Sequence, residues 1–153
     1  MRNAYARFGR ICDALQSPFL LFVRLYWGWQ FAQAGWGKLH HLDKVTGLFT
    51  NLGIPFPALN APFVSALEFV GGILLALGAG SRLIALLLAG DMFVAFITAD
   101  RESFLAFFSD PDKFSSATPY TYLFASVLIL IFGPGRYALD TLIFKPERTK
   151  PQP

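Results

Sequence analysis

The clearest pattern along the chain is a series of long apolar runs separated by shorter polar stretches. Four runs approach the ~20 residues that cross the hydrocarbon core of a bilayer as an α-helix, and they cover residues 18–36, 63–80, 83–99 and 114–135. In the last run, the helix should begin near Pro119. The two-residue alternation typical of a membrane β-barrel is absent. We therefore expect an all-α membrane protein, an antiparallel bundle of four transmembrane helices.

The segments between the runs predict one tight turn and several short amphipathic elements. Residues 78–81 read Gly-Ala-Gly-Ser, so the second and third runs should be antiparallel neighbours. Both outer loops and the N-terminal arm carry apolar residues on one side of a potential helix. These residues are Leu39, Leu42, Val45, Phe49 and Leu52, then Phe104, Phe107, Phe108 and Phe114, and in the arm Tyr5, Phe8, Ile11, Cys12 and Leu15. We divide the chain into an arm (1–17), a membrane domain (18–142) and a tail (143–153).

Composition supports a membrane protein and excludes other classes. Hydrophobic residues make up 54% of the 153 positions and charged residues 15%, against about 25% charged residues in soluble domains. Cys12 is the single cysteine, which excludes an intrachain disulfide and a Cys-x-x-Cys pair. The net charge of +3 comes from basic residues near both ends of the chain. This placement favours anionic lipid headgroups over nucleic acid as the partner.

The distribution of lysine and arginine predicts the orientation in a bacterial-type cytoplasmic membrane. Eight basic residues (Arg2, Arg7, Arg10, Arg82, Arg136, Lys145, Arg148 and Lys150) flank the side that holds both termini, and four (Lys38, Lys44, Arg101 and Lys113) flank the other. The positive-inside rule then places both termini in the cytoplasm. An alternative interpretation makes the first run a cleaved signal peptide ending at residues 32–34, although Arg24 and two tryptophans interrupt its apolar character.

The residues that could carry chemistry are the polar ones inside the runs. Arg24, Glu68 and Asp91 are ionisable, and such residues usually face the interior of a bundle and pair there. From depths of about 10 Å and 13 Å we expect Arg24 to pair with Asp91, and Glu68 to pair with Gln30 or the tip of Arg24. Glu68 or Asp91 would then carry a proton or contact a ligand. The alternative is an ion pair that only fixes the helix register.

Two further features favour structural roles over a metal site. Gly28, Ala32 and Gly35 share the Arg24 side of the first run, and Gly71 and Gly72 share the Glu68 side of the second, which is typical of close helix packing in lipid. The adjacent His40 and His41 would point about 100° apart on a helix and cannot easily share a metal. A site formed with Asp43 is the alternative, and we predict no metal and no intrinsic cofactor.

Several motifs, taken in order, resemble the DoxX family of membrane proteins. They are RLYWG at 24–28, GWGKL at 35–39, LGIP at 52–55, EFVGGILLALG at 68–78, Ser81-Arg82, and GPGRYALD at 133–140. The resemblance extends over roughly residues 18–142. It implies a four-helix membrane protein of a family associated with quinol oxidase, thiosulfate–quinone chemistry and oxidative-stress complexes.

The resemblance implies an accessory subunit of a quinone-linked or oxidative-stress-related membrane redox system, in which a partner protein supplies the redox centre. The candidate quinone or lipid contacts are Trp36, Lys38, Glu68, Tyr120 and Tyr122. The alternatives are a module that binds or transports a small solute or protons along Arg24, Asp91 and Glu68, and a non-catalytic scaffold. Whether the chain is itself an enzyme, and whether it forms a homo-oligomer, stays open.

Overall fold

The computed structural model describes the backbone of residues 2–143 and the side chains of residues 7–143. The described chain folds into helices and contains no strand. The helices are α1 (Arg2–Leu39), α2 (Leu42–Asn51), α3 (Pro57–Leu77), α4 (Ser81–Thr98), α5 (Arg101–Leu105), α6 (Pro111–Ser116), α7 (Thr118–Phe132) and α8 (Leu139–Ile143). The predicted tail, except residue 143, lies outside the described residues, as do the basic residues Lys145, Arg148 and Lys150.

Two of the predicted membrane-spanning runs become helices that are long and apolar enough to cross a bilayer. Helix α3 has 21 residues and a mean hydropathy of 1.6, and α4 has 18 residues and a mean hydropathy of 1.7. Only 33% of the apolar window of each helix is buried within the protein, so most of its side chains are at least partly exposed. Helix α7 is apolar but has 15 residues. The all-α prediction is confirmed, and two of the four predicted spans are clear by length and hydropathy.

The helix boundaries differ from the predicted ones in three places, one of which is the start of α3 at Pro57, before the predicted run. Helix α1 runs through Pro18 without a break, so no change of secondary structure marks the predicted boundary at residue 17. The last apolar run is divided at Ala117, whose backbone is extended, and α7 begins next to Pro119 as expected. The short helix α8 follows and was not predicted.

The predicted tight turn joins α3 to α4 through two glycines with left-handed backbone. Gly78 has φ 75° and Gly80 has φ 61°, a conformation that glycine adopts without steric cost. The N–H of Gly78 donates to the carbonyls of Leu74 and Leu75, which caps α3. The chain therefore reverses direction within three residues, and α4 packs back on α3 as predicted.

The predicted amphipathic elements also form helices. Helix α2 contains the apolar repeat of the first long loop, with Val45 buried, and it packs on α3. Helices α5 and α6 contain Phe104 and Phe114, whose rings both contact Phe96 of α4. These short helices cover the ends of α3, α4 and α7 on the side away from Gly78.

Glycines bring α1 and α3 into backbone contact. A Cβ atom built at Gly72 of α3 would lie 2.5 Å from the backbone N of Ala32 and from the carbonyl O of Gly28 on α1. A Cβ atom at Gly35 would lie 2.7 Å from the carbonyl O of Ser65 and would overlap the backbone N of Phe69. Real Cβ atoms cannot approach so closely, so the predicted role of these small residues in helix packing is confirmed.

Replacing Gly35 by alanine should separate α1 from α3 and destabilise the protein by about 1–3 kcal/mol, the usual cost of overpacking. The control is Gly37→Ala on the same helix, because a Cβ atom there meets no atom within 4 Å. The control should be neutral or up to about 1 kcal/mol more stable, since alanine favours helix. Unfolding in mixed detergent micelles measures both values. Equal stabilities for the two variants would contradict the close contact.

Candidate functional site

An ion pair between α1 and α3 forms the first part of the candidate site. The Lys38 Nζ lies 2.5 Å from the Glu68 Oε1 and donates a hydrogen bond to it. The Glu68 side chain is 1% exposed and the Lys38 side chain is 36% exposed, so the carboxylate is buried while the long lysine stem reaches toward the surface. The close α1–α3 contact sets this distance, because Gly35 is one turn before Lys38 and packs beside Phe69, the neighbour of Glu68.

Asp91 of α4 completes a group of three charges. Its carboxyl group is within hydrogen-bonding reach of the Glu68 carboxyl group, and Lys38 acts electrostatically on it. The Asp91 Oδ2 and the Glu68 Oε2 are both buried, and neither has a hydrogen-bond partner. We name Lys38, Glu68 and Asp91 the acid–lysine triad. It contains two electrostatically interacting carboxyl groups and one ammonium group, an arrangement that can bind a proton or a hydrogen-bonding ligand.

The triad lies on the wall of a large apolar cavity between α2, α3 and α4. The cavity has a volume of about 690 Å³. Its apolar wall consists of Val45, Leu48, Phe49, Leu52, Ile54, Pro55, Phe63, Val64, Leu67, Leu87, Val94, Ala95 and Ala99. The polar residues besides the triad are Lys44, Asn60 and Thr98. Asn60 and Thr98 donate to backbone carbonyls, and the buried side-chain oxygens of this wall that lack a partner belong to Glu68 and Asp91.

Arg24 does not pair with Asp91, and this expectation was wrong. The Arg24 side chain is fully buried, and its Nη2 donates to the backbone carbonyl of Tyr137, 2.5 Å away. Lys38 lies about 21 Å further along α1 than Arg24, at 1.5 Å per residue. The similar depths expected for Arg24 and Asp91 rested on the assumption that α1 and α4 start at the same level in the membrane. The chain instead brings the Tyr137 carbonyl to Arg24.

Asp140 holds the segment after α7 against the α3–α4 turn next to Arg24. Its carboxylate accepts hydrogen bonds from the backbone N–H of Gly80, at 2.6 Å, and of Ser81, at 2.8 Å. Its own N–H donates to the carbonyl of Gly78. Burial alone would raise the pKa of the Asp140 carboxyl, but these backbone bonds, the Ser81 side chain and the positive charge of Arg24 hold that pKa below its ordinary value.

The other candidate residues lie outside the cavity. Gln30 is half-buried and donates to the hydroxyl of Tyr26 at 3.4 Å. Trp36 is 54% exposed and contacts the rings of His40 and Phe69.

The two candidate tyrosines are also separate from the cavity wall. Tyr120 packs in an aromatic group with Phe96, Phe114 and Phe124. Tyr122 contacts Phe31 edge to face, and its phenol lies within electrostatic reach of Glu68. Of the five candidate ligand contacts, the cavity wall therefore contains Lys38 and Glu68.

Two residues near the candidate sites were not predicted from the sequence. Lys44 was expected in a loop, whereas α2 brings this residue to the cavity wall. Asp140 was noted only as part of a motif, although its carboxylate binds the α3–α4 turn. The amphipathic repeat of α2 could have indicated the position of Lys44. The role of Asp140 depends on a contact between residues 60 positions apart, which no local pattern reveals.

Histidines and acidic residues do not gather into a metal site within the described residues. The Nδ1 atoms of His40 and His41 lie 2.9 Å and 3.0 Å from the carbonyls of Trp36 and Gly37. Because a carbonyl only accepts, these ring nitrogens are the protonated donors, and they bond within the end of α1.

The chain is similar to one protein family and to several individual proteins. The DoxX family model matches residues 19–101, which is more than half of the chain. The chain is 25% identical to "Putative oxidoreductase CatD" of Bacillus subtilis, over 84% of this chain and 89% of that protein. It is 29% identical to the uncharacterized membrane protein Rv3486 of Mycobacterium tuberculosis, over 89% and 88% of the two chains. It is 28% identical to the inner membrane protein YqjF of Escherichia coli, over 86% and 96%. No solved structure matches the chain.

Replacing Asp140 by asparagine should destabilise the protein at pH 7 by about 1–2 kcal/mol, as for the loss of a charged helix cap. Because folding lowers the Asp140 pKa, its contribution is present above the unfolded-state pKa of about 3.9 and is lost as pH falls through the folded-state value. The difference between wild type and variant should therefore shrink below about pH 4. Thermal unfolding at pH 7 and pH 3 measures it.

The control for this prediction is Asp112→Asn, because Asp112 is exposed and its carboxylate makes no comparable contact between distant segments. It should change stability by less than about 0.5 kcal/mol. A difference between wild type and Asp140→Asn that stays constant from pH 7 to pH 3 would show that the carboxylate charge is unimportant.

Proposed function

Because this chain belongs to the DoxX family of membrane proteins, we propose that it is an accessory subunit of a quinone-linked or oxidative-stress-related redox system in the cytoplasmic membrane. In this proposal a quinone occupies the cavity between α2, α3 and α4. The observation that carries the proposal is the cavity itself, which combines a volume of about 690 Å³ with apolar walls and the acid–lysine triad.

The chemistry of the cavity suits a molecule with an apolar body and a polar head. Small-molecule sites commonly have volumes of about 300–1,000 Å³, apolar linings and a few placed polar groups. The ammonium of Lys38 can donate to a quinone carbonyl, and so can the carboxyl group of Glu68 or Asp91 when it is protonated. The phenylalanine and leucine side chains of the wall would contact the ring and the isoprenoid tail.

A redox partner protein completes the proposal. The chain has one cysteine, Cys12, and two histidines whose ring N–H groups bond to backbone carbonyls. We therefore assign electron transfer to the partner and quinone holding to this chain. Similarity to a relative named as an oxidoreductase supports a redox setting. In the membrane, we propose that α1, α3, α4 and α7 all span the bilayer as an antiparallel bundle with both termini cytoplasmic.

The proposed transport of protons or a small solute along Arg24, Asp91 and Glu68 has weaker support. The apolar side chains of Leu75 on α3 and Leu88 on α4 are fully buried. Along these helices they lie between the level of Gly78, where Arg24 binds, and the level of Glu68 and Asp91. A continuous polar path would have to cross this apolar layer. Quinone binding requires only the cavity and no continuous polar path.

Filling the cavity should abolish quinone binding. Gly90 lies on the cavity wall, and a Cβ atom there meets no atom within 4 Å, so Gly90→Leu should place its side chain in the cavity without disturbing helix packing. We expect decyl-ubiquinone and a short-chain menaquinone to bind the wild type. In Gly90→Leu, affinity should fall at least about tenfold, or ~1.4 kcal/mol. Equilibrium dialysis of the purified protein in detergent measures it.

The matched control is Gly37→Leu, since a Cβ atom at this position is equally unhindered and Gly37 does not line the cavity. Its affinity should equal that of the wild type. Absence of quinone binding to the wild type, or equal loss in both variants, would overturn quinone as the occupant of this cavity.

The proposed topology predicts opposite labelling of two exposed positions. In a Cys12→Ser background, a cysteine replacing Arg101 in α5 should react with an impermeant maleimide in intact cells. A cysteine replacing Arg136 after α7 should react only after the cells are opened. Both arginines are exposed, so accessibility of the folded protein is matched. Labelling of position 136 in intact cells would reverse or refute the assignment.

A further inference from the structure

The two carboxyl groups of the acid–lysine triad leave buried oxygen atoms without hydrogen-bond donors. Glu68 Oε1 accepts from the Lys38 ammonium, but Glu68 Oε2 has no partner. Asp91 Oδ2 is in the same state, and the two carboxyl groups are within hydrogen-bonding reach of each other. Two carboxylates can only accept, so this contact needs a proton to become a hydrogen bond.

Charge balance also indicates that the triad needs one added proton. From α1, Lys38 contributes one positive charge, and from α3 and α4, Glu68 and Asp91 contribute two negative charges when both are ionised. In the described residues, the other titratable groups that face this region are Lys44 of α2, on the cavity wall, and the neutral phenol of Tyr122 on α7. Lys44 is exposed to solvent, so its charge is screened.

A fully ionised triad would therefore carry an uncompensated negative charge beside an apolar cavity. Uncompensated charge in a low-dielectric interior is costly, and two carboxyl groups that share a site do not both ionise readily. One added proton brings the triad to neutrality. It also supplies the missing donor for Glu68 Oε2 and Asp91 Oδ2.

We propose that Lys38, Glu68 and Asp91 form a proton-binding site on the cavity wall, in which the two carboxyl groups hold one proton between them at neutral pH. Lys38 occupies Glu68 Oε1, which leaves the proton between Glu68 Oε2 and Asp91 Oδ2. When the proton leaves, one O–H bond breaks and two carboxylates remain beside a single ammonium. The proton exchanges with water through the partly exposed Lys38 side.

The two carboxyl groups also determine which head group the cavity accepts, an inference that rests on the proposed function. A neutral triad favours a neutral head group that accepts a hydrogen bond from the Lys38 ammonium, such as a carbonyl. An anionic head group would compete with the two carboxyl groups for the Lys38 ammonium. The protonation state itself does not depend on any occupant.

Infrared spectroscopy of the full-length protein, purified in detergent without added quinone, tests the proton directly. A protonated carboxyl group has a C=O stretching band that a carboxylate lacks, and the band shifts in D₂O. We expect the wild type to show one such group at pH 7. Both Asp91→Asn and Glu68→Gln should lose the band, because the single carboxylate left in each variant is neutralised by Lys38 and needs no proton.

Two further variants make the result specific. Lys38→Met should increase the band about twofold, since two carboxyl groups without a cation need two protons for neutrality. The matched control is Glu102→Gln, whose carboxylate pairs with Lys113 at 3.1 Å but is 90% exposed. This control should leave the band unchanged. Asp91→Asn keeps the Lys38–Glu68 ion pair, and circular dichroism with gel filtration verifies its fold.

Absence of the band in the wild type at pH 7 would overturn the proposal even if a variant failed to fold. Loss of the band in only one of Asp91→Asn and Glu68→Gln would also overturn it, because the proton would then belong to one residue. Since the measurement contains no quinone, it stands apart from the proposed function. A band that behaves as expected together with no quinone binding would remove the quinone and keep the proton site.

Discussion

The close approach of α1 and α3 is the constraint on which the other features of this protein depend. Gly28, Gly35 and Gly72 remove the side chains that would hold the two backbones apart. This contact fixes which residues of the two helices face each other. Lys38 then meets Glu68, and Arg24 meets the end of α3 at Gly78. In lipid, where hydrophobic attraction between helices is weak, such close packing supplies much of the association energy.

The protein stabilises buried charge in two different ways. The Arg24 guanidinium interacts electrostatically with Asp140, and its Nη2 donates to the Tyr137 carbonyl, so the segment after α7 supplies both interactions. Glu68 has a direct ion pair with Lys38, and its carboxyl group interacts electrostatically with that of Asp91. The first arrangement is enclosed by the chain itself. The second borders a cavity, which is why we regard the triad, and not Arg24, as the functional site.

Much of the helical framework could be predicted from local patterns in the sequence, but the pairing of charges could not. The apolar runs, the glycine turn and the amphipathic repeat of α2 predicted helices that the structure contains, because each depends on residues close together in the chain. The expected pairing of Arg24 with Asp91 failed. It assumed that the helices start at the same level, whereas Arg24 lies at the level of Gly78, at the end of α3. The cavity also could not be predicted, since its wall comes from four helices and the α2–α3 loop and requires their mutual positions.

The hydrogen bonds of Asp140 and Tyr137 affect the order in which the protein can be completed during synthesis. The carboxylate that binds the N–H groups of Gly80 and Ser81 is synthesised about 60 residues after them. The carbonyl that binds the Arg24 guanidinium is synthesised 113 residues after Arg24. Until then the first two long helices can associate through their glycines, but the charged end of that pair has only water or lipid headgroups as partners. The segment after α7 therefore acts as the final closure of the fold. A nascent chain that stops before Tyr137 would contain most of the apolar helices and still lack the carbonyl that Arg24 binds.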